Sequence, residues 1–355
     1  MSVGRPLYGI DAGGTGTSVR AWNGDHWTGP SVNPSSVGQD ASDRCLADLF
    51  TRIRDHAAAN HATANPATEN PATENPATAR PAVWLASASV DPALVDGEAR
   101  RCAEAARVAG LRAELVISND LTPLVLDAPP GTGHVIVVCG TGSGFLATDG
   151  RSAPVRVGGC EYLGSDEGSA FDLGLFGLRA AVRGLDGRGA RTALSDLLAA
   201  QAGAPVPELA RRLARDPFPK AAVAALAPAV LRAWLGGDQV ADGLVTDAIA
   251  ELAVGARAAR DAAGVGSGWR LSAIGGIVTG CPPFFARLAA AAAGLGADPV
   301  TLISDPAAAM LTALARLAAT DPMTLSDPRI DRDSRYLDLT AQEPAQERLA
   351  SGQHA

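Results

Sequence analysis

Residues suited to binding phosphate stand near the start of the chain, in a run of glycine and threonine that follows Asp11. The segment Asp11-Ala-Gly-Gly-Thr-Gly-Thr17 lies between two apolar stretches with the pattern of β-strands. A tight turn of this composition offers backbone N–H groups and hydroxyls to an anion, and the missing Cβ atoms let phosphate oxygens approach closely. Because the turn joins two strands, it is not the Rossmann motif, which joins a strand to a helix. The candidate phosphate-binding residues are Gly13, Gly14, Thr15, Gly16 and Thr17.

Asp11 adds a second requirement, because a carboxylate beside a phosphate repels it unless a divalent cation lies between them. We therefore expect Mg²⁺ at this position, held mainly through water by Asp11 together with Asp120. An ordinary glycine hairpin with a solvated Asp11 explains this single segment equally well.

A second copy of the motif strengthens the phosphate interpretation. Residues 134–150 repeat the pattern of residues 7–24, with an apolar strand, a glycine/threonine turn, a second strand and a closing polar turn. Two such hairpins could hold the phosphates of a nucleotide without a lysine. The second turn consists of Gly140, Thr141, Gly142 and Ser143. Gly275-Gly276 follows a later apolar strand and is suited either to adenosine lying against the backbone or to a simple strand-to-helix turn.

The repeat also predicts the domain organisation. Strands alternate with helices in both halves, which is typical of an α/β fold, and a Pro-Pro-Gly breaker stands between the halves. We expect an N-terminal α/β domain over residues 1–129, a C-terminal α/β domain with a helical insertion over 130–320, and a flexible tail over 321–355. Three proline-containing repeats make residues 65–79 an expected flexible surface insertion.

Composition limits the classes of function. The 355 residues carry a formal net charge of −8, which argues against nucleic acid or an anionic membrane as a partner. Lys220 is the single lysine, so mechanisms that need a lysine beside the glycine turns are excluded. The five cysteines form no CxxC pair, no apolar run is long enough to span a membrane, and no signal peptide is evident. These features together predict a reduced, cytoplasmic setting.

Taken together, the segments resemble the sugar kinase/actin superfamily. Within it, the chain is similar to the N-acetylglucosamine kinase group of the BadF/BadG/BcrA/BcrD ATPase family over about residues 7–318. Besides the two hairpins and the double glycine, the resemblance is carried by residues 29–34, 88–91, 118–120, 158–159, 166–169 and the helix after 305–306.

The resemblance implies duplicated actin-like (ribonuclease H-like) domains with an interdomain ATP cleft. It implies an ATP-dependent sugar kinase that uses ATP and Mg²⁺ and phosphorylates an amino sugar, N-acetylglucosamine or glucosamine, at the 6-hydroxyl. Asp91 matches the catalytic base that accepts the proton of the attacking hydroxyl, although Asp91-Pro92 by itself is typical of a helix-entry turn. The residues implied to face the sugar are Asn33, Asp91, Asn119, Gly159 and Asp166.

The chain departs from the family pattern at the expected sugar pocket. Cys160-Glu161 stands where the kinases carry an aromatic–glycine pair, and Ser165 replaces a glycine. ATP binding is therefore better supported than any particular sugar. The carboxylate of Glu161 suggests, as a further hypothesis, a preference for an amino sugar with a free ammonium group.

Two other interpretations stay open. The same family includes ATPase activators of 2-hydroxyacyl-CoA dehydratase and benzoyl-CoA reductase systems. A catalytically weak nucleotide or sugar sensor would keep the same hairpins. A homodimer is an option beside the monomer in each case.

Overall fold

The computed structural model describes residues 5–13, 16–64, 80–87, 89–90, 94–217, 219–318, 327, 329–330 and 334–340. Gly14, Thr15, Asp91 and the predicted insertion 65–79 lie outside these ranges. The strands are β1 (Leu7–Ala12), β2 (Thr17–Ala21), β3 (His26–Gly29), β4 (Ala82–Ser87), β5 (Glu114–Ser118), β6 (His134–Cys139), β7 (Ser143–Thr148), β8 (Val155–Gly158), β9 (Trp269–Ile274), β10 (Ala297–Ile303) and β11 (Ser334–Asp338).

Helices connect these strands and form most of the second half of the chain. They are α1 (Pro34–Val37), α2 (Gln39–Ala64), α3 (Val95–Ala109), α4 (Glu161–Gly164), α5 (Ala170–Leu185), α6 (Leu194–Ala202), α7 (Val206–Leu213), α8 (Lys220–Ala224), α9 (Ala227–Leu235), α10 (Gln239–Ala262), α11 (Gly276–Gly280), α12 (Pro282–Gly294) and α13 (Pro306–Leu317), with a 3₁₀ helix at Thr122–Asp127.

The chain divides into two compact units. Unit 1 combines Met1–Pro129 with Asp305–Ala355, and unit 2 is Pro130–Ser304. Each unit is a mixed α/β structure with its own sheet and its own buried apolar core. The predicted α/β fold class is therefore confirmed.

The sheet of unit 1 has six strands in the order β11-β5-β4-β1-β2-β3. Its central strands β1, β4 and β5 run parallel, whereas β2 and β3 form antiparallel hairpins that follow β1. Every residue of β4 is buried, and Trp84 at its centre is fully enclosed. This continuous apolar run is what a parallel strand covered by helices on both faces requires.

The sheet of unit 2 repeats this arrangement. Its five strands have the order β10-β9-β6-β7-β8, with β6, β9 and β10 parallel and with β7 and β8 antiparallel. Apart from β11, the strands of the two sheets match one for one in order and direction. The internal repeat seen in the sequence is therefore a repeat of the strand topology.

The end of the chain differs from the expectation of a C-terminal domain reaching residue 320. Helix α13 belongs to unit 1, and its backbone packs so closely on β1 that a Cβ at Gly9 would collide with the carbonyl oxygen of Ala307. Strand β11, within the tail that we expected to be flexible, pairs antiparallel with β5. An apolar helix pattern does not reveal which of two similar sheets the helix will cover.

Candidate functional site

The first glycine turn connects β1 to β2 in unit 1. Thr17 is 3% exposed, and its Oγ1 is buried without a hydrogen-bond partner in the described part of the chain. The carbonyl of Gly13 accepts a hydrogen bond of 3.0 Å from Ser31 Oγ. Buried hydroxyl groups in proteins usually have a hydrogen-bond partner. The Thr17 hydroxyl, beside a glycine turn, is therefore suited to donate a hydrogen bond to an anionic oxygen.

Asp11 lies close enough to two other carboxylates to be affected by their charge. Burial, followed by the charges of Asp120 and Asp305, raises the pKa of Asp11 to about 7. The charge of Asp120, the other predicted metal ligand, thus reaches Asp11, and so does the charge of Asp305. Arg20 donates to Asp305 Oδ2 from Nε at 2.6 Å, which offsets one of the three charges.

The acidic cluster fits a cation that is held through water. A positive charge here would relieve the repulsion that raises the Asp11 pKa. Within the described ranges, no group of three or more Asp, Glu, His or Cys side chains is arranged to coordinate a metal directly. The Mg²⁺ expected from the sequence therefore stays a proposal.

Asn33 stands in a loop that is firmly held by its neighbours. The loop carbonyl of Val32 accepts hydrogen bonds from Ser42 Oγ at 2.5 Å and from an Arg101 guanidinium nitrogen at 3.1 Å. The backbone N–H of Asn33 donates to Ser31 Oγ at 3.1 Å, so the Asn33 loop and the first glycine turn share one hydroxyl.

Asn119 holds the segment that leads into Asp91. Its Nδ2 donates to the carbonyl of Val90 at 2.8 Å, and its Oδ1 accepts from the backbone N–H of Leu121 at 3.0 Å. Asp91 itself lies outside the described residues. The predicted sugar contact of Asn119 stays a prediction, whereas its hold on the backbone next to Asp91 is a structural fact.

The second glycine turn connects β6 to β7 in unit 2. The carbonyl oxygens of Gly140 and Thr141, which would repel a phosphate, accept hydrogen bonds from the N–H groups of Ala170 and Phe171 at the start of α5. Ser143 Oγ donates to the carbonyl of Glu167 at 2.8 Å. The beginning of α5 therefore fixes the conformation of this hairpin.

Asp166 lies directly against the second hairpin. It is 3% exposed, and its Oδ1 accepts a hydrogen bond of 2.9 Å from the backbone N–H of Ser143. A Cβ at Gly142 would collide with the same carboxylate. We expected Asp166 to face the sugar, and the contacts that the structure gives it are with the hairpin and with Lys220, whose Nζ lies 2.8 Å from Oδ2.

Lys220 is a residue of this site that sequence reasoning missed. Burial alone would lower its pKa, but the nearby carboxylates of Asp166 and Glu161 outweigh that effect, and the pKa is raised. Lys220 Nζ also lies 2.7 Å from Glu161 Oε2. Lys220 carries one positive charge and contacts two carboxylates, Glu161 and Asp166, so the preference for a sugar with a free ammonium group stays a prediction.

The double glycine lies against the base of the second hairpin. Gly275 has φ +121°, and a Cβ there would collide with the carbonyl of Cys139, whereas a Cβ at Gly276 would meet no described atom within 4 Å. Gly159, which follows β8, has φ +71°, and a Cβ there would also meet no described atom within 4 Å. Gly275 is thus required for close packing against the backbone of β6. The backbone at Gly276 and Gly159 has space beside it for a ligand.

Known proteins show where this architecture belongs. The family model of the BadF/BadG/BcrA/BcrD ATPase family matches residues 8–279 of the chain. The chain belongs to the BadF/BadG/BcrA/BcrD ATPase family. This membership confirms the family resemblance, and the match includes both glycine turns and Gly275-Gly276.

Two solved structures have the same fold as this family member. A protein of Chromobacterium violaceum assigned as an N-acetylglucosamine kinase superposes with a TM-score of 0.62 and 26% identity, covering 87% of this chain and 99% of the other. A protein of Porphyromonas gingivalis with the same assignment gives a TM-score of 0.65 at 16% identity, covering 88% and 98%.

A curated relative matches part of the chain. It is an N-acetylmuramic acid/N-acetylglucosamine kinase of Clostridium acetobutylicum, 28% identical over 153 residues, which are 43% of this chain and 50% of the relative. The chain thus spans about half the length of this relative.

Among the described helices of the chain, none combines the length and apolar character needed to cross a lipid bilayer.

Proposed function

We propose that this protein transfers the γ-phosphate of ATP to a hydroxyl of an amino sugar. The observation that carries the proposal is the repeat of a glycine/threonine hairpin at equivalent positions of two matching sheets, in a member of this ATPase family. The kinase names of the relatives support the sugar as acceptor.

Each group of residues has a part in this reaction. The two hairpins bind phosphate through backbone N–H groups, the Thr17 hydroxyl and the Thr141 hydroxyl. Asp91 accepts the proton of the sugar 6-hydroxyl as it attacks, and Asn119 keeps the backbone before Asp91 in place. Asp11 and Asp120 would hold Mg²⁺ through water. When bound, Mg²⁺ neutralises charge on the phosphates.

N-acetylglucosamine is the substrate to test first. The names of the relatives favour the N-acetylated sugar. Glucosamine is the alternative, because the single positive charge of Lys220 lies against both Glu161 and Asp166 and leaves net negative charge there. N-acetylmuramic acid joins the test because the Clostridium relative is named for it.

The experiment is ADP release from ATP·Mg²⁺ with each of N-acetylglucosamine, glucosamine, N-acetylmuramic acid, N-acetylmannosamine and glucose, and with no sugar. We expect release that depends on an N-acetylated amino sugar, with the phosphate position read by NMR of the product. Release that is equally fast without sugar would contradict the kinase and favour an ATPase activator. ATP binding without any release would favour a sensor.

A further inference from the structure

We propose that Lys220 is a positioning residue for the second phosphate hairpin and acts through Asp166. Lys220 neutralises that buried carboxylate and holds it on the hairpin backbone. The hairpin can then bind a phosphate without repulsion from Asp166. This inference rests on the proposed function, in which residues 140–143 bind ATP.

The contacts form a continuous path from the lysine to the hairpin. Lys220 Nζ lies 2.8 Å from Asp166 Oδ2, and Asp166 Oδ1 accepts from Ser143 N–H at 2.9 Å. Asp166 is 3% exposed and has φ +76°, a backbone conformation uncommon for a residue other than glycine. The ion pair and the hydrogen bond together hold the carboxylate in this conformation.

The charge arrangement explains why a lysine is needed here. A carboxylate that touches a phosphate-binding turn repels the phosphate, and the effect is strong where water is excluded. At the first hairpin, the same problem arises at Asp11, where we propose Mg²⁺. At the second hairpin, the protein supplies the positive charge itself, from the single lysine of the chain.

The ion pair between Lys220 and Glu161 contributes less to the conformation of the second hairpin. The side chain of Glu161 is 75% exposed, and ion pairs between exposed groups are weak because water and salt screen them. The pair with buried Asp166 is screened much less. Removal of the Lys220 charge would leave the buried Asp166 carboxylate beside the hairpin without its ion-pair partner.

Equilibrium binding of ATP·Mg²⁺ to the full chain, measured by calorimetry without sugar, tests this proposal. Lys220→Met is expected to raise the Kd about tenfold, which is about 1.4 kcal/mol. Lys220→Arg should restore most of the affinity. Arg188→Met, which removes an equal charge from a surface ion pair with Asp186, is the matched control and should stay within about twofold.

A double mutant separates positioning from a general loss of structure. In an Asp166→Asn background there is no charge to neutralise, so Lys220→Met should change the Kd less than about twofold. If Lys220→Met does not fold, Lys220→Gln takes its place with the same expected weakening. An equal loss of affinity in both backgrounds, or a Kd for Lys220→Met like that of Arg188→Met, would overturn the inference alone. A wild-type protein that binds no ATP would overturn the proposed function and this inference with it.

Discussion

Asp91 is the residue on which the chemical step of the proposed reaction depends. Asp91→Asn removes the proton acceptor and keeps the size of the side chain. We expect sugar-dependent ADP release to fall by at least about 100-fold, the usual contribution of a general base, with the Kd for ATP within about twofold. Asp96→Asn is a suitable control, because Asp96 lies on α3 and pairs with Arg335 of β11. Turnover of Asp91→Asn near the wild-type rate would remove Asp91 from the mechanism.

Asp11 gives a pH signature to the stability of the metal-free protein. Its pKa is about 7 in the folded chain against 3.8 ordinarily, so the folded state holds the proton more tightly than the unfolded state. The stability due to this proton is full at low pH and is lost as pH rises towards 7. In EDTA, the unfolding free energy of wild type relative to Asp11→Asn should fall by roughly 3 kcal/mol between pH 5 and 8.

Urea titrations at several pH values measure this difference, and a difference that does not vary with pH would contradict the cause given for the raised pKa. Addition of Mg²⁺ at pH 8 should stabilise wild type more than Asp11→Asn, because the cation replaces the proton.

Short motifs revealed some of these residues and not others. The glycine turns and Asp11 could be predicted because the chemistry lies within a few consecutive residues. Lys220 and Asp305 could not, because the residues they contact, Asp166 and Arg20, are far from them in the sequence. The presence of only one lysine is the available sequence signal for Lys220, and it excludes some mechanisms without assigning this residue a role.

Among the elements, regular helices and buried strands were the most predictable. Helix α3 is an example, because its apolar side chains recur on one face and its last turn ends at Gly110 with φ +67°. The starts of helices are harder to predict. Helix α5 begins only at Ala170, because Asp166 just before it takes a left-handed conformation to reach the hairpin. Helix α9 is separated from α8 and begins at Ala227-Pro228, because proline favours the first turn of a helix.

Strand β11 had no sequence signal, because three of its five residues, Ser334, Arg335 and Asp338, are polar or charged, and its partner β5 is distant in the sequence. It covers the edge of the unit 1 sheet and contributes a hydrogen bond from Tyr336 to Glu114 and an ion pair of 2.5 Å between Arg335 and Asp96. Unpaired sheet edges promote association between chains.

A chain that ends after residue 326 should therefore melt at a lower temperature and aggregate during heating. A chain that ends after residue 340 keeps β11 and is the control. Light scattering recorded along the thermal transition gives both readouts, and identical behaviour of the two truncated chains would show that β11 does not protect the sheet.

For the whole molecule, the two units differ in how the chain builds them. Unit 2 is one continuous segment, whereas unit 1 needs α13 and β11 from the end of the chain. We expect residues 130–304 alone to give a cooperative thermal transition, and residues 1–129 alone to give none, because β1 then lacks the helix that packs on Gly9. Circular dichroism of the two fragments decides this, and a cooperative transition of residues 1–129 would contradict it.

Because unit 1 is built from two separate segments of the chain, the order in which the two units can fold during synthesis is also affected. A ribosome releases the N-terminal strands first, but their sheet stays without α13 and β11 until residues 306–338 have been made. Unit 2 has all of its residues once Ser304 has been made, which is before unit 1 is complete. We expect the usual N-to-C order of domain folding to be reversed on the nascent chain, with unit 1 left open to chaperones until β11 has been made.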